Sequence, residues 1–297
     1  MALSDSDVEA FRKVIEERQN KRKSSRPVQK KARKDYSVEE YKKRMDEENR
    51  RTAAMVKDQT AQRVNHSLER WKEIVGPRFF GAGIDINEPK IMERIANFKK
   101  GTGRYNSSVV LTGGLGVGKT WRAYGYAEKL IRENILQQAN IVAGTEISVL
   151  GSIASSGFRK ADKMAELMDP KHKLFLIDEV GRTRFPNMEA QHEIWYELIN
   201  YIYMNDLTLV ISTNKSTKEH KKTLYVEMPT FKSVAEKNAW NAQNNTEDNF
   251  IMTNELEEWI GKAAYDRLKH IVGDGIIVPQ GPNRRPELLA EKKRRQE

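Results

Sequence analysis

Gly113-Gly114-Leu115-Gly116-Val117-Gly118-Lys119-Thr120 fits the pattern G-x-x-x-x-G-K-[ST], a loop whose backbone cradles phosphate groups. Its flanks fit as well. Val109-Val110-Leu111 reads as a short buried strand running into the loop, and residues 121–131 carry no Pro and one Gly, Gly125, and read as a helix. Glycines let several backbone N–H groups point at one phosphate, and the positive end of the following helix dipole adds to the attraction. On this reading Gly113, Gly114, Gly116, Val117 and Gly118 wrap the phosphates. Lys119 reaches the β- and γ-phosphates of ATP, and the Thr120 hydroxyl ligates Mg²⁺. A glycine-rich turn that matches by accident is the competing reading, and the strand–loop–helix order weighs against it.

Two further apolar runs point the same way. Leu174-Phe175-Leu176-Ile177 has the length of a buried strand and ends in Asp178-Glu179. Many buried strands end in acidic residues, but one that follows a P-loop in the same chain forms a Walker B arrangement. There Asp178 holds Mg²⁺, directly or through water, and Glu179 orients and deprotonates the attacking water. The run from Leu207 to Ser212 is also rich in β-formers and leads into Thr213-Asn214. The Asn214 amide could contact the γ-phosphate or the water. Three apolar strands that each end in polar residues predict an α/β fold with a parallel sheet, its site at the carboxyl edge of the strands.

Size and composition set bounds on the rest. A chain of 297 residues can hold one α/β domain and a smaller appendage. The net charge of +10 favours a polyanionic partner such as nucleic acid, with a merely solvated basic surface as the plain alternative. There are no cysteines, which excludes disulfides, zinc–thiolate sites and thiol catalysis. His66, His172, His192, His220 and His270 show no metal-ligand spacing. No apolar run approaches the roughly 20 residues of a membrane span, and the N-terminus lacks the apolar stretch of a signal peptide, so a cytoplasmic protein without membrane contact is expected.

Along the chain, Ser6-Asp7-Val8-Glu9 is a capping box before helical spacing at Val8, Phe11 and Ile15. The Lys/Arg-rich stretch 21–34 reads as a flexible basic linker. Ser37-Val38-Glu39-Glu40 is a second capping box, opening a long charged helix to about Ile74. Tyr41, Met45, Val56, Val64, Leu68 and Trp71 give that helix only an intermittent apolar stripe, and Gly76-Pro77 breaks it. Helices are expected at 89–98, interruptedly over 147–165 with breaks at Gly151 and Gly157, at 188–204 and at 255–270. Short strands are expected at 141–143 and 275–278. Ile194, Trp195, Leu198, Ile199 and Ile202 should form the buried side of the 188–204 helix. Residues 215–254 are long for a connection and Asn-rich over 238–249, as in an insertion.

Asp178-Glu179-Val180-Gly181, Ile211-Ser212-Thr213-Asn214 and Asp266-Arg267-Leu268 together resemble the DnaC/IstB group of AAA+ ATPases, and Pro77-Arg78-Phe79 resembles the start of that family's domain. The group contains bacterial and phage helicase loaders and the ATPase helpers of some transposons. The resemblance covers roughly residues 76–286. It implies a P-loop AAA+ domain there and does not cover the N-terminal region, which reads from its residues as a helix with its basic linker (1–35) and a helical partner-binding region (36–75); 215–254 reads as an insertion and 287–297 as a charged tail. It also implies that Asn214 acts as sensor I and that Arg267 is an arginine finger for ATP bound by a neighbouring copy, within a homo-oligomer. A sensor II arginine falls at Arg284 or Arg285, with Arg285 preferred. Gly114-Leu115 stands where many relatives have a proline.

For partners, the resemblance implies a helicase loader whose N-terminal helices grip a DnaB-type replicative helicase while the AAA+ domains engage single-stranded DNA. Phe158, Arg159, Lys160 and Lys163 fall where loaders contact that strand, although a solvated helix edge reads equally well. The alternative is a transposition helper that binds duplex DNA and recruits a transposase. A small-molecule kinase is disfavoured, because Glu179 beside Asp178 suits attack by water.

Overall fold

The computed structural model describes residues 38–101, 104–223, 233–236, 238–239 and 250–279. The expected first helix, the basic linker, Arg284, Arg285, the charged tail and the Asn-rich residues 240–249 lie outside the described residues. The elements in order are α1 (Val38–Val75), α2 (Ala82–Asp85), α3 (Pro89–Lys100), β1 (Val109–Leu111), α4 (Lys119–Arg132), β2 (Ile141–Thr145), α5 (Lys160–Leu167), β3 (Leu174–Val180), α6 (Met188–Met204), β4 (Thr208–Thr213), β5 (His220–Thr223), β6 (Phe250–Thr253), α7 (Glu255–Ile260), α8 (Lys262–Val272) and β7 (Ile276–Ile277).

The chain divides into two compact units, residues 1–56 and 57–297. In the first, the described part of α1 is exposed, including Tyr41, Met45, Met55 and Val56. Its first turn carries Glu39 and Glu40, the sign that suits the positive end of a helix dipole. In the second unit the end of α1 is anchored: Trp71 and Val75 are buried with Ile86, Ile91 and Ile95. Gly76 then takes a left-handed conformation and donates its N–H to the Lys72 carbonyl, so the helix stops where Gly76-Pro77 predicts.

The core of this unit is a five-stranded sheet in the order β2-β3-β4-β1-β7, with every neighbouring pair parallel. A strand alternates its side chains between two faces, and here both faces are buried. Val109, Leu111, Leu174, Leu176 and Val210 face one cluster, which α3, α4 and the end of α1 complete. Val110, Phe175, Ile177, Leu209 and Ile211 face the other, completed by α5, α6, α7 and α8. Ile194, Trp195, Leu198, Ile199 and Ile202 of α6 are all fully buried, as their helical spacing predicts.

One expectation needs correction. The helix expected over 255–270 is two helices: Gly261, at φ +87°, ends α7 and starts α8. A Cβ at Gly261 would lie 3.0 Å from His192 Cγ, so close approach to α6 sets the break. The two ends of the 215–254 segment form a ribbon. β5 and β6 pair antiparallel, His220 opposite Thr253 and Thr223 opposite Phe250. Lys222 reaches Glu258 of α7 at 3.1 Å, and Ser216 N–H donates to Glu255 at 2.9 Å. These are long-range pairings that local composition does not encode.

A close contact joins α2 to α4. A Cβ at Gly125 would stand 2.9 Å from the Ala82 carbonyl oxygen, and one at Gly83 would stand 2.7 Å from Lys129 N. Glu128, fully buried, accepts the Gly81 N–H at 2.9 Å and the Arg132 Nε–H at 2.7 Å. Gly→Ala in a helix interior ordinarily gains about 0.5–1 kcal/mol. Here crowding should outweigh that gain, and Gly125→Ala should cost about 1–3 kcal/mol. Urea denaturation measures it, and a stabilised variant would show that α2 does not press on α4.

Candidate functional site

The parity of the strands brings the acidic and hydroxylic residues together. Asp178 follows Leu174 and Leu176 on the α4 face of β3, and Ser212 follows Val210 on the same face of β4. They meet: Ser212 Oγ donates to Asp178 Oδ1 at 2.5 Å, and Thr120 Oγ1, from the first turn of α4, donates to the same oxygen at 3.1 Å. Asp178 is buried, and that burial pushes its carboxyl above the ordinary carboxylate range. The Ser212 and Thr120 hydroxyls pull it down, while the neighbouring Glu179 charge raises it.

Glu179 breaks the alternation. Ile177 pairs with Ile211, yet Val180 pairs with Thr213, so β3 carries one residue more than β4 over this step. The extra residue makes a bulge, a device that re-aims a side chain beside a site. Glu179 is left-handed at φ +56°, which costs a non-glycine residue of order 1–3 kcal/mol unless its surroundings hold it. Thr213 Oγ1 donates to the Val180 carbonyl at 2.8 Å, and Arg182 Nη1 to Glu179 Oε1 at 2.7 Å.

The loop before α4 places Gly113, Gly116 and Gly118 at positive φ. Gly118 is the N-cap of α4 and has no side chain to cap with, so the first-turn amides are left for an anion. Lys119 is buried, its Nζ donating to the Gly113 and Gly114 carbonyls at 2.8 and 2.6 Å. Arg122 Nη1 donates to the Val117 carbonyl at 2.7 Å, and its Nε to Glu88 at 3.3 Å, joining the loop to the segment before α3.

These residues surround a cavity of about 870 Å³. Gly116, Val117, Gly118, Lys119, Thr120, Asp178, Glu179 and Asn214 all line it. Gly113 and Gly114 touch it only through Lys119. Arg267, on α8, is not among the lining residues; its guanidinium lies 4.6 Å from the Tyr196 ring centroid. Of the four residues expected near a DNA strand, Phe158 is fully exposed, Lys160 pairs with Glu193 at 2.5 Å and Lys163 donates to the Ser152 carbonyl at 3.0 Å.

Sequence reasoning missed the rest of the cavity wall. Arg78, Phe79, Ile86, Asn87, Arg122 and Tyr124 also line the cavity. Phe79 packs on Tyr124 with ring centroids 5.4 Å apart, and Tyr124 lies edge-on to Trp71 at 6.0 Å. Burial raises the Tyr124 hydroxyl above its usual range, with the Asp178 and Glu179 charges adding to the rise. The signal was present in Pro77-Arg78-Phe79, but only as the start of a domain.

A glycine loop at a helix N-terminus, opening on strand ends that carry a carboxylate and hydroxyls, is the arrangement of a P-loop nucleotide-binding fold. Residues 88–230, just under half of the chain, match the family model described as IstB-like ATP binding protein. No curated protein matches the sequence. Solved structures with a similar fold include the crystal structure of the DnaC helicase loader, at 15% identity over 69% of this chain and 100% of that one, with a TM-score of 0.44. Others are domain III of the replication initiation protein DnaA from Thermotoga maritima (18% identity, 47% and 57% covered, TM-score 0.35) and AMPPCP-bound DnaA from Aquifex aeolicus (12%, 71% and 69%, 0.33). Among the described residues no helix is long and apolar enough to cross a membrane.

Asn at position 178 would keep an acceptor oxygen for both hydroxyls and remove a buried charge. Without nucleotide or divalent cation, Asp178→Asn should therefore melt at a higher temperature than the parent near neutral pH. Scanning calorimetry checks this, and a lower melting temperature would mean that the charge stabilises the site.

Proposed function

We propose that the chain hydrolyses ATP, and that hydrolysis drives assembly and release during the loading of a DnaB-type replicative helicase onto single-stranded DNA. The observation that carries the catalytic part is the convergence of Lys119, Thr120, Asp178, Glu179 and Asn214 on one cavity.

The donor set fits a hard cation. A buried carboxyl oxygen within 3.1 Å of a hydroxyl, beside a phosphate-sized loop, is the oxygen-only environment that Mg²⁺ prefers. Bound there by Thr120 and Asp178, Mg²⁺ would neutralise charge on the β- and γ-phosphate oxygens. The backbone of residues 116–118 holds the phosphates, and Lys119 turns its ammonium from the loop carbonyls toward them. Glu179 accepts a proton from the attacking water, and Asn214 fixes the position of that water or of the γ-phosphate. Phe79 and Tyr124 supply an apolar wall for the base. Arg267 lies away from its own chain's cavity, as a residue serving the ATP of a neighbouring copy would, where a guanidinium stabilises the charge spread over the transferred group. Arg285, outside the described residues, is the sensor II candidate.

Support for the loading role is coarser: the exposed apolar side chains of Tyr41, Met45, Met55 and Val56 on α1, which suit helix docking, and the net charge of +10, which suits sequence-indifferent contact with a nucleic-acid backbone. The family match equally favours the second reading, a transposition helper that binds duplex DNA. Capture of a replicative helicase and ATP-dependent preference for single strands would support loading, whereas capture of a transposase and preference for duplex would replace it.

In steady-state assays Lys119→Ala should lose nucleotide binding. Glu179→Gln should keep binding and lose turnover by roughly 10²–10⁴-fold. Arg267→Ala should bind ATP normally and turn over roughly 10³-fold more slowly; parental turnover in that variant would remove the trans-acting arginine.

A further inference from the structure

Glu146, one residue past the end of β2, is fully buried, and both its carboxyl oxygens are occupied by protein N–H donors. Oε2 accepts from Gly181 N–H at 2.9 Å and Thr183 N–H at 3.2 Å, in the turn that follows Glu179. Oε1 accepts from the indoles of Trp195, on α6, at 3.0 Å and Trp259, on α7, at 2.7 Å. Every one of these donors is neutral, so the group serves as a four-way acceptor that joins the ends of β2 and β3 to two helices. Its neighbour Thr145 lines the cavity while Glu146 does not.

The turn that Glu146 grips has a left-handed glycine under a packed side chain. Gly181 sits at φ +98°, and a Cβ there would fall 2.7 Å from the Lys215 side chain, which itself lies over the Trp259 ring at 4.8 Å. The bulge at Glu179 has a left-handed backbone that persists only where its surroundings hold it. Two of the bonds that hold it come from one carboxyl group.

We propose that Glu146 is a positioning residue for Glu179: by fixing the Gly181 and Thr183 amides to α6 and α7 it holds the bulge that presents the Glu179 carboxylate to the cavity. This rests on the reading of Glu179 as the base in ATP hydrolysis. It makes Trp195 and Trp259, far along the chain, part of the support for that base.

The test compares the full-length parent with Glu146→Gln, nearly isosteric but with an NH₂ that must face two N–H donors in either amide orientation. ATP affinity should stay within about threefold, because the phosphate loop is untouched, while kcat falls roughly tenfold or more through misplacement of the base. In hydrogen–deuterium exchange the Gly181 and Thr183 amides should lose protection, with β1 and β4 unchanged. Unchanged protection at Gly181 and Thr183 overturns the proposal, as does an unchanged kcat in a parent that turns over ATP, or parallel loss of affinity, kcat and protection throughout the sheet. If the parent shows no turnover, the hydrolysis reading fails and the exchange result alone decides whether Glu146 holds the turn. If Glu146→Gln does not fold, Trp259→Phe, which removes one of the four donors, is judged by the same two readouts.

Discussion

A single oxygen of Asp178 accepts hydroxyl hydrogen bonds from Thr120 and Ser212, and the site is organised around that junction. Thr120 belongs to the first turn of the helix that follows the glycine loop, Asp178 to β3 and Ser212 to β4. Three elements far apart in the chain are thereby held in register within hydrogen-bond reach. Burial makes the arrangement costly for a charged group, a cost that the proposed Mg²⁺ would offset. Removing the junction would leave the loop and the acidic strand related only through the packing of α4 on the sheet.

The parallel sheet creates the junction through strand parity. Residues two apart share a face, so Leu176 and Asp178 on β3 and Val210 and Ser212 on β4 run from apolar core into polar site without a change of direction. At Glu179 the parity is broken by one residue, which returns Val180 to the opposite core and turns a second carboxylate into the cavity beside the first. A regular strand would have sent Asp178 and Glu179 to opposite faces. The bulge is therefore what allows two adjacent acidic residues to serve one site, and the buried Glu146 carboxyl is well placed to maintain it.

Much of this was legible in the sequence. The glycine loop, the strands ending in Asp178-Glu179 and Asn214, and the buried face of α6 are local patterns, fixed by spacing and side-chain type. What escaped was long-range. Nothing local in the sequence marks Glu146, because its four donors lie 35 to 113 positions away. The break at Gly261 depends on the approach of His192, and the β5–β6 ribbon on pairing across residues 224–249. The aromatic wall of Phe79 and Tyr124 comes from two segments that only the contact between α2 and α4 brings together.

If the cavity beside α4 is the nucleotide site, each chain should bind one ATP through the glycine loop. Calorimetric titration of ATP into the full-length protein with Mg²⁺ present tests this most directly. A saturable isotherm with a stoichiometry of one per chain is the expected result. An isotherm with no heat of binding up to millimolar ATP, from protein shown to be folded, would contradict it.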